Sequence, residues 1–169
     1  MSLISSNFIS FARNHFRLDW SGIHGASHWA RVRHNGLLLA ANCAADRAVV
    51  EWFAFLHDLD RHTDGADAGH GRRSAELAQA INAQHMNLSD QQLELLITAC
   101  QGHSTGKLNA DITVMVCWDA DRLDLGRIGI KPNPAYLCTD TAKDIDFLEA
   151  AYLRSIRGLG EIYDWSDRL

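Results

Sequence analysis

Residues 46–61 have the sequence DRAVVEWFAFLHDLDR, and this stretch decides the fold class. Glu51 is the only charged residue between positions 48 and 56, so a helix formed here would be buried on nearly all sides. His57 and Asp58 follow directly on its apolar run. The sequence therefore predicts a central helix that ends in an imidazole and a carboxylate. Both groups can turn towards one cavity and offer nitrogen and oxygen to a metal ion.

The rest of the chain has helical periodicity as well. Apolar residues recur at i, i+3, i+4 and i+7, and only 2 prolines occur. Asp46 is the expected N-cap of the central helix, and Ser89 with Gln92 forms a capping box. We therefore expect an all-α domain of six or seven helices, the last of them capped by Thr141. The expected helices span about 5–17, 27–43, 48–56, 68–84, 89–102, 109–125 and 141–157.

Length and composition narrow the classes of function. The chain has 169 residues, of which 47% are hydrophobic and 22% are charged, as in one globular domain with a sizeable core. We expect a single domain over 1–169, with its core at about 22–127. The net charge of −5 argues against electrostatic binding to nucleic-acid polymers or anionic membranes. The chain shows no signal-like or membrane-spanning segment and its 4 cysteines form no C-x-x-C motif, so we expect a cytoplasmic protein with reduced cysteines. The sequence leaves open whether the protein forms a homo-oligomer.

Several of the 9 histidines fall on faces that should point inward. Helical spacing aligns His28, His70 and His103 with apolar residues of their own helices, and it aligns Asp119 with Ile112 and Met115. A hydrogen-bonded core histidine is the simpler explanation for any one of them. A buried carboxylate, however, needs a cation or strong donors to compensate it. The joint pattern therefore favours a shared metal centre.

The order His, His-Asp, Asp resembles the HD-domain superfamily of metal-dependent phosphohydrolases. The first histidine of the family matches HWARV, the central pair matches FAFLHDLDR, and the last aspartate matches WDADRLDLGR. This resemblance covers about residues 22–127. It implies an HD-type helical bundle with a metal site made of His28, His57, Asp58 and Asp119.

The resemblance also provides candidate ligands for a second ion. Members of the superfamily with two metals use two further histidines, and His70 and His103 stand where these would fall, with Asp58 as the bridging ligand. Such a site leaves water positions on the ion, and a metal-acidified water is a nucleophile near neutral pH. Mixed nitrogen and oxygen ligands suit Mn, Fe, Co, Ni or Zn, and Mg if water supplies the remaining ligands. We expect one or two divalent ions and a small phosphorylated substrate, such as a nucleotide, a cyclic nucleotide or a phosphorylated metabolite.

Arg61 stands three residues after Asp58, where several HD families carry a functional Lys or Glu. An arginine stays protonated and cannot act as a base, so we expect Arg61 to anchor substrate phosphate. A solvated surface arginine is the simpler alternative. His62 and Asp64 in the same loop are candidates for proton transfer. The expected catalytic residues are Asp58, Arg61 and His62.

Two other functions stay open at this point. The acidic residue that some hydrolytic members of the superfamily carry after the His-Asp pair is missing here, which is compatible with a non-catalytic regulatory module that binds metal or nucleotide. Some relatives with the full six-ligand set hold two irons and oxygenate their substrate.

Overall fold

The computed structural model describes residues 3–158, and this part of the chain contains helices and no strand. Its eight α-helices are α1 (Ser6–His15), α2 (Ala26–Ala40), α3 (Arg47–Leu56), α4 (His70–Ile81), α5 (Asp90–Gly102), α6 (Ile112–Arg122), α7 (Asp140–Lys143) and α8 (Ile145–Arg157). A π-helix (Asn82–Met86) continues α4, and two 3₁₀-helices (Leu125–Ile128 and Pro134–Tyr136) lie between α6 and α7. The predicted all-α class is confirmed. None of these helices has the length and apolar character needed to cross a membrane.

Two helix starts form as the sequence predicts. The Asp46 carboxylate accepts hydrogen bonds from the backbone N–H groups of Ala48 and Val49, at 2.9 and 3.2 Å, and so caps α3. Ser89 and Gln92 form the reciprocal capping box that starts α5. Each cap satisfies backbone donors that have no partner within the helix.

The C-terminal helix differs from its prediction. Thr139, and not Thr141, caps α7, and α7 ends after one turn because Asp144 adopts an extended backbone conformation (φ −57°, ψ 131°). The Asp144 carboxylate then accepts from the backbone N–H groups of Asp146 and Phe147 and starts α8. This break raises the number of helices above the expected six or seven.

Helix α3 lies at the centre of the bundle and packs against α2, α5 and α6. Trp29 of α2, Trp52 of α3 and Trp118 of α6 are all buried, and Phe8 of α1 packs edge-on against Trp52 with 4.8 Å between the ring centroids. Burying a large apolar side chain stabilises a fold by about 1.5–3 kcal/mol. The aromatic core therefore fixes where the C-terminal end of α3 lies.

Two glycines allow the helices near that end to approach closely. A Cβ atom on Gly71 would lie 2.5 Å from the carbonyl oxygen of Cys100, and one on Gly102 would lie 2.5 Å from Cζ2 of Trp118. Larger residues at these positions would push α4 away from α5, and α5 away from α6. The close packing brings His70, at the start of α4, next to His103, which follows α5.

The cysteines are free throughout the described part of the chain. Cys100 and Cys117 are buried, whereas Cys43 is exposed and Cys138 is half-buried. Only two of the four therefore lie in the core.

Candidate metal centre

The His-Asp pair lies where α3 ends. His57 still has helical backbone angles, and the chain then continues in tight turns from Asp58 to Arg61. His28 comes from the first turn of α2, and Asp121 comes from the last turn of α6. Three helices thus bring these side chains to one buried point.

Four side chains form what we call the first donor group: His28, His57, Asp58 and Asp121. The Nε2 atoms of His28 and His57 lie 3.0 Å apart. Oδ2 of Asp58 lies 3.8 and 3.6 Å from these two nitrogens, and Oδ1 of Asp121 lies 3.4 and 3.7 Å from them. Ligands of one transition-metal ion lie roughly 2.8–3.6 Å from each other when each is about 2.0–2.2 Å from the ion. His28, His57 and Asp58 are therefore close enough to hold a single ion, and Asp121 approaches the same two nitrogens from α6.

The second donor group consists of Asp58, His70 and His103. The Nε2 atoms of His70 and His103 lie 2.7 Å apart. Oδ1 of Asp58 lies 3.4 Å from the first and 3.7 Å from the second. Asp58 thus offers Oδ2 to one pair of histidines and Oδ1 to the other, which is the arrangement of a carboxylate that bridges two ions.

The hydrogen bonds of the four histidines fix which ring nitrogen faces the site. The Nδ1 atoms of His57, His70 and His103 lie against the backbone carbonyl oxygens of Phe53, Asp67 and Cys100, and Nδ1 of His28 lies 2.7 Å from Oδ2 of Asp124. These oxygens accept hydrogen bonds, so each neutral ring carries its proton on Nδ1 and directs the Nε2 lone pair inward. Lone pairs that face each other at 2.7–3.0 Å need positive charge between them. The donor chemistry therefore fits divalent metal ions.

The electrostatics favour the protonation states of metal ligands. Burial lowers the pKa of His28 well below its ordinary value, and it also lowers the pKa of His57 and of His70. Although burial alone would raise the pKa of Asp58, the neighbouring His57 and His103 hold it well below its usual range. Burial would lower the pKa of His103, yet the hydrogen bond to Asp58 raises it. Burial thus favours neutral rings at His28, His57 and His70, whereas the ionised Asp58 carboxylate favours a proton on His103. The cluster attracts positive charge, which a proton or a metal ion can supply.

The structure places Asp119 outside the site and so corrects the sequence-based ligand set. Its buried carboxylate accepts hydrogen bonds from the backbone N–H groups of Cys138 and Thr139, at 2.7 and 2.8 Å, and from the Thr139 hydroxyl at 2.8 Å. These donors compensate the buried charge, and the contact ties the segment before α7 to α6. The hydrogen-bond partners of Asp119 thus lie away from both histidine pairs.

Asp121 takes the place that was expected for Asp119. Its Oδ1 atom is buried and has no hydrogen-bond partner, although it faces the first donor group. The helical spacing rule could have found it, because Asp121 aligns at i−3, i−4 and i−7 with Trp118, Cys117 and Val114, which are all buried. Asp119 and Asp121 lie within one turn of α6, and each aligns with apolar residues of that helix. Only the tertiary packing decides which of the two faces the histidines.

Asp124 was missed by the sequence reasoning. It is fully buried, faces Nδ1 of His28, and accepts hydrogen bonds from Nε and Nη2 of Arg31 at 2.6 and 3.0 Å. A carboxylate behind a ligating histidine orients the ring and raises its basicity. No periodic pattern identified Asp124, because it lies just beyond α6.

Arg61 lies beside the second donor group, three residues beyond Asp58 and after the turns that follow α3. Its Nη1 atom lies 3.4 Å from Oδ1 of Asp58 and 3.3 Å from Nε2 of His70. Its Nε and Nη2 atoms donate to the carbonyl oxygens of Thr63 and Gly65, each at 2.9 Å. The guanidinium is therefore held at the site and is not a freely solvated group.

The structure places His62 away from both donor groups, which corrects the expectation that it is catalytic. Its ring is exposed and pairs with Asp60 at 3.2 Å, because the turn directs it outward. Asp64 of the same loop pairs with His24, whose Nδ1 atom lies 2.7 Å from Oδ1 of Asp64. This contact ties the loop to the segment before α2.

The sequence matches no known family model and no curated protein. Among solved structures, the chain is similar to the 1.45 Å crystal structure of a predicted HD superfamily hydrolase from an uncultured Thermotogales bacterium. The two share 25% sequence identity and a TM-score of 0.68, over 87% of this chain and 84% of the other. The chain therefore has an HD-domain fold, as the sequence resemblance predicted.

Proposed function

We propose that the chain is a metal-dependent phosphohydrolase that cleaves a small phosphate ester, such as a nucleotide, a cyclic nucleotide or a phosphorylated metabolite. The observation that carries this proposal is the position of Asp58, whose two oxygens face two different histidine pairs. The structural similarity to a predicted HD superfamily hydrolase supports the same reaction class.

The chain would hold one ion at the first donor group and another at the second. When bound, divalent ions supply an acidified water as nucleophile and neutralise charge on a phosphate. Mn, Fe, Co, Ni and Zn all suit these ligands, and Mg would need additional water ligands. Buried acceptors behind the histidines keep their Nε2 atoms aimed at the ions.

Two arginines give the site the positive rim that an anionic substrate needs. Arg61 lies beside the second donor group, and Nη2 of Arg127 lies 3.8 Å from Oδ1 of Asp121 beside the first. We assign Arg61 as the phosphate anchor, since its planar guanidinium can bind two phosphate oxygens when it turns away from Asp58. Arg127 donates to the carbonyl oxygens of Ile23 and Asp124 and so supports the first group from behind.

The test combines metal analysis with a phosphate-release screen over a panel of small phosphate esters and added ions. The parent protein should carry a transition metal and release phosphate, and His57→Ala should lose both. His34→Ala, a histidine outside both donor groups, is the matched control and should retain both. Equal metal content in the parent and in folded His57→Ala would contradict the proposal.

The full set of donors also favours a second candidate, an iron-dependent oxygenase, because relatives of that kind share the six-ligand pattern. The same preparations distinguish the two functions. Oxygen uptake by the Fe(II)-loaded protein, with no phosphate release in the screen, would favour the oxygenase. Metal binding with neither reaction would favour a regulatory module.

A further inference from the structure

The two donor groups differ in how a guanidinium meets their ligand atoms. Nη1 of Arg61 lies 3.3 Å from Nε2 of His70 and 3.4 Å from Oδ1 of Asp58. At the first donor group, Nη2 of Arg127 lies 3.8 Å from the carboxylate of Asp121, and its charge acts on His28 and His57 through space. The two groups therefore differ in what already compensates their lone pairs.

Arg61 uses the same atoms that a second ion would need. His70 has its Nδ1 proton against the carbonyl oxygen of Asp67, so Nε2 offers a single lone pair. An N–H of Arg61 points to that lone pair and to Oδ1 of Asp58. A guanidinium keeps its protons near neutral pH, so it can only be displaced and cannot become a ligand.

The loop holds the guanidinium in this place. Arg61 donates to the carbonyl oxygens of Thr63 and Gly65, which lie in the exposed turn that follows it. The turn is closed by Asp67, whose carboxylate accepts from the backbone N–H of His62 at 2.9 Å and from Nη2 of Arg73 at 2.6 Å. The positive charge is thus part of the folded loop, and moving it breaks defined hydrogen bonds.

We propose that Arg61 is an internal cation that competes with the second metal ion, so that the first donor group fills at a much lower ion concentration than the second. The inference rests on the proposed function in that it takes both donor groups as ion sites. It goes further because it assigns the residue that sets how many ions the chain holds at a given concentration. Binding of a substrate phosphate by Arg61 would then also free the lone pair of His70.

The test is a stepwise titration of the metal-free protein with Mn²⁺. Calorimetry measures the heat of binding, and electron paramagnetic resonance measures the Mn²⁺ that remains free. Arg61→Met and Arg61→Gln both remove the charge, and Arg61→Lys keeps it. Arg72→Met is the matched control, because Arg72 pairs with Glu76 on the surface. Removing a like charge a few ångströms from a divalent ion should strengthen its binding more than tenfold.

We expect the Kd of the second Mn²⁺ ion to fall at least tenfold in Arg61→Met and Arg61→Gln. The Kd of the first ion should stay within twofold of its value in the parent. Arg61→Lys should stay closer to the parent, and Arg72→Met should match it. A second Kd within twofold of the parent in both neutral variants overturns the inference while two-ion binding still stands. If the parent itself binds no Mn²⁺, the proposed function fails as well. Thermal melting of each variant verifies that it is folded.

Discussion

The two donor groups share Asp58 and have the same ligand chemistry, but the fold supports them differently. The first group lies between α2, α3 and α6, and its His28 is backed by the buried carboxylate of Asp124. The second group is backed by backbone carbonyl oxygens, and the loop that carries Arg61 borders it. Both groups depend on helix packing, but only the second has a loop guanidinium in contact with a histidine ligand nitrogen.

This difference teaches that ligand identity alone does not set metal affinity. Ligands held by packed helices are preorganised, and a carboxylate behind a histidine strengthens it as a donor. Histidines that point at each other beside a fixed positive charge are weaker ion sites, even with the same geometry. We therefore expect the chain to bind its first ion tightly and its second ion weakly.

The largest effect is expected from Asp121→Asn, which removes a charged ligand from the first donor group. This variant should lose the tightly bound ion and any phosphate release, and it should stay folded. Asp119→Asn is the matched variant two residues away. It should keep its metal but lose roughly 2–4 kcal/mol of unfolding free energy, because an amide cannot accept three buried hydrogen bonds from Cys138 and Thr139.

Metal content and urea unfolding of the two variants measure the contrast directly. The reverse pattern, with metal lost in Asp119→Asn and kept in Asp121→Asn, would show that the helix turns the other aspartate towards the site. Equal loss of metal in both would mean that the two carboxylates act through one shared packing defect.

The sequence alone predicts the elements that depend on local chemistry. The N-cap at Asp46 and the capping box at Ser89 follow from short-range hydrogen bonds. The inward faces of α2, α4 and α5 follow from helical spacing, which brings His28, His70 and His103 to the site.

The remainder depends on tertiary packing and could not be predicted in the same way. Whether Asp119 or Asp121 faces the histidines depends on where the segment before α7 offers backbone donors. Asp124 lies past the end of its helix, so no periodicity applies to it. The contact of Arg61 with His70 joins the turn after α3 to the start of α4, and helical spacing does not extend across that junction.

A smaller effect is expected from Asp124→Asn. The amide oxygen can still accept from Nδ1 of His28, but the negative charge behind the ring is lost and Arg31 loses its buried partner. Loss of such a supporting carboxylate typically weakens metal binding 10–100-fold. The first Kd for Mn²⁺ should therefore rise by about that factor, while the second Kd stays within a few-fold of the parent.

Asp60→Asn is the matched control for this change, because Asp60 pairs with a histidine that lies outside both groups. Its two Kd values should equal those of the parent. An equal rise of both Kd values in Asp124→Asn would show that the two donor groups are not supported independently.

The smallest effect is the pH dependence of the metal-free protein. Burial lowers the pKa of His28, His57 and His70 in the folded state, so these rings bind fewer protons when folded than when unfolded below about pH 6.5. Stability should then fall as the pH drops from about 7.5 to 5.5, by at most about 1.4 kcal/mol per pH unit for each such group. His103, whose pKa is raised, acts in the opposite direction and reduces the slope.

Urea unfolding of the chelator-treated protein at several pH values measures this slope. His57→Asn should flatten it, because one buried group no longer titrates, whereas His34→Asn tests a histidine whose pKa burial also lowers but which lies outside the cluster. Saturating Mn²⁺ should steepen the dependence, since protons then compete with bound ions for the same nitrogens. A metal-free protein that gains stability on acidification would show that the cluster takes up protons on folding. In that case positive charge on histidines, and not neutral rings, would hold the site together without metal.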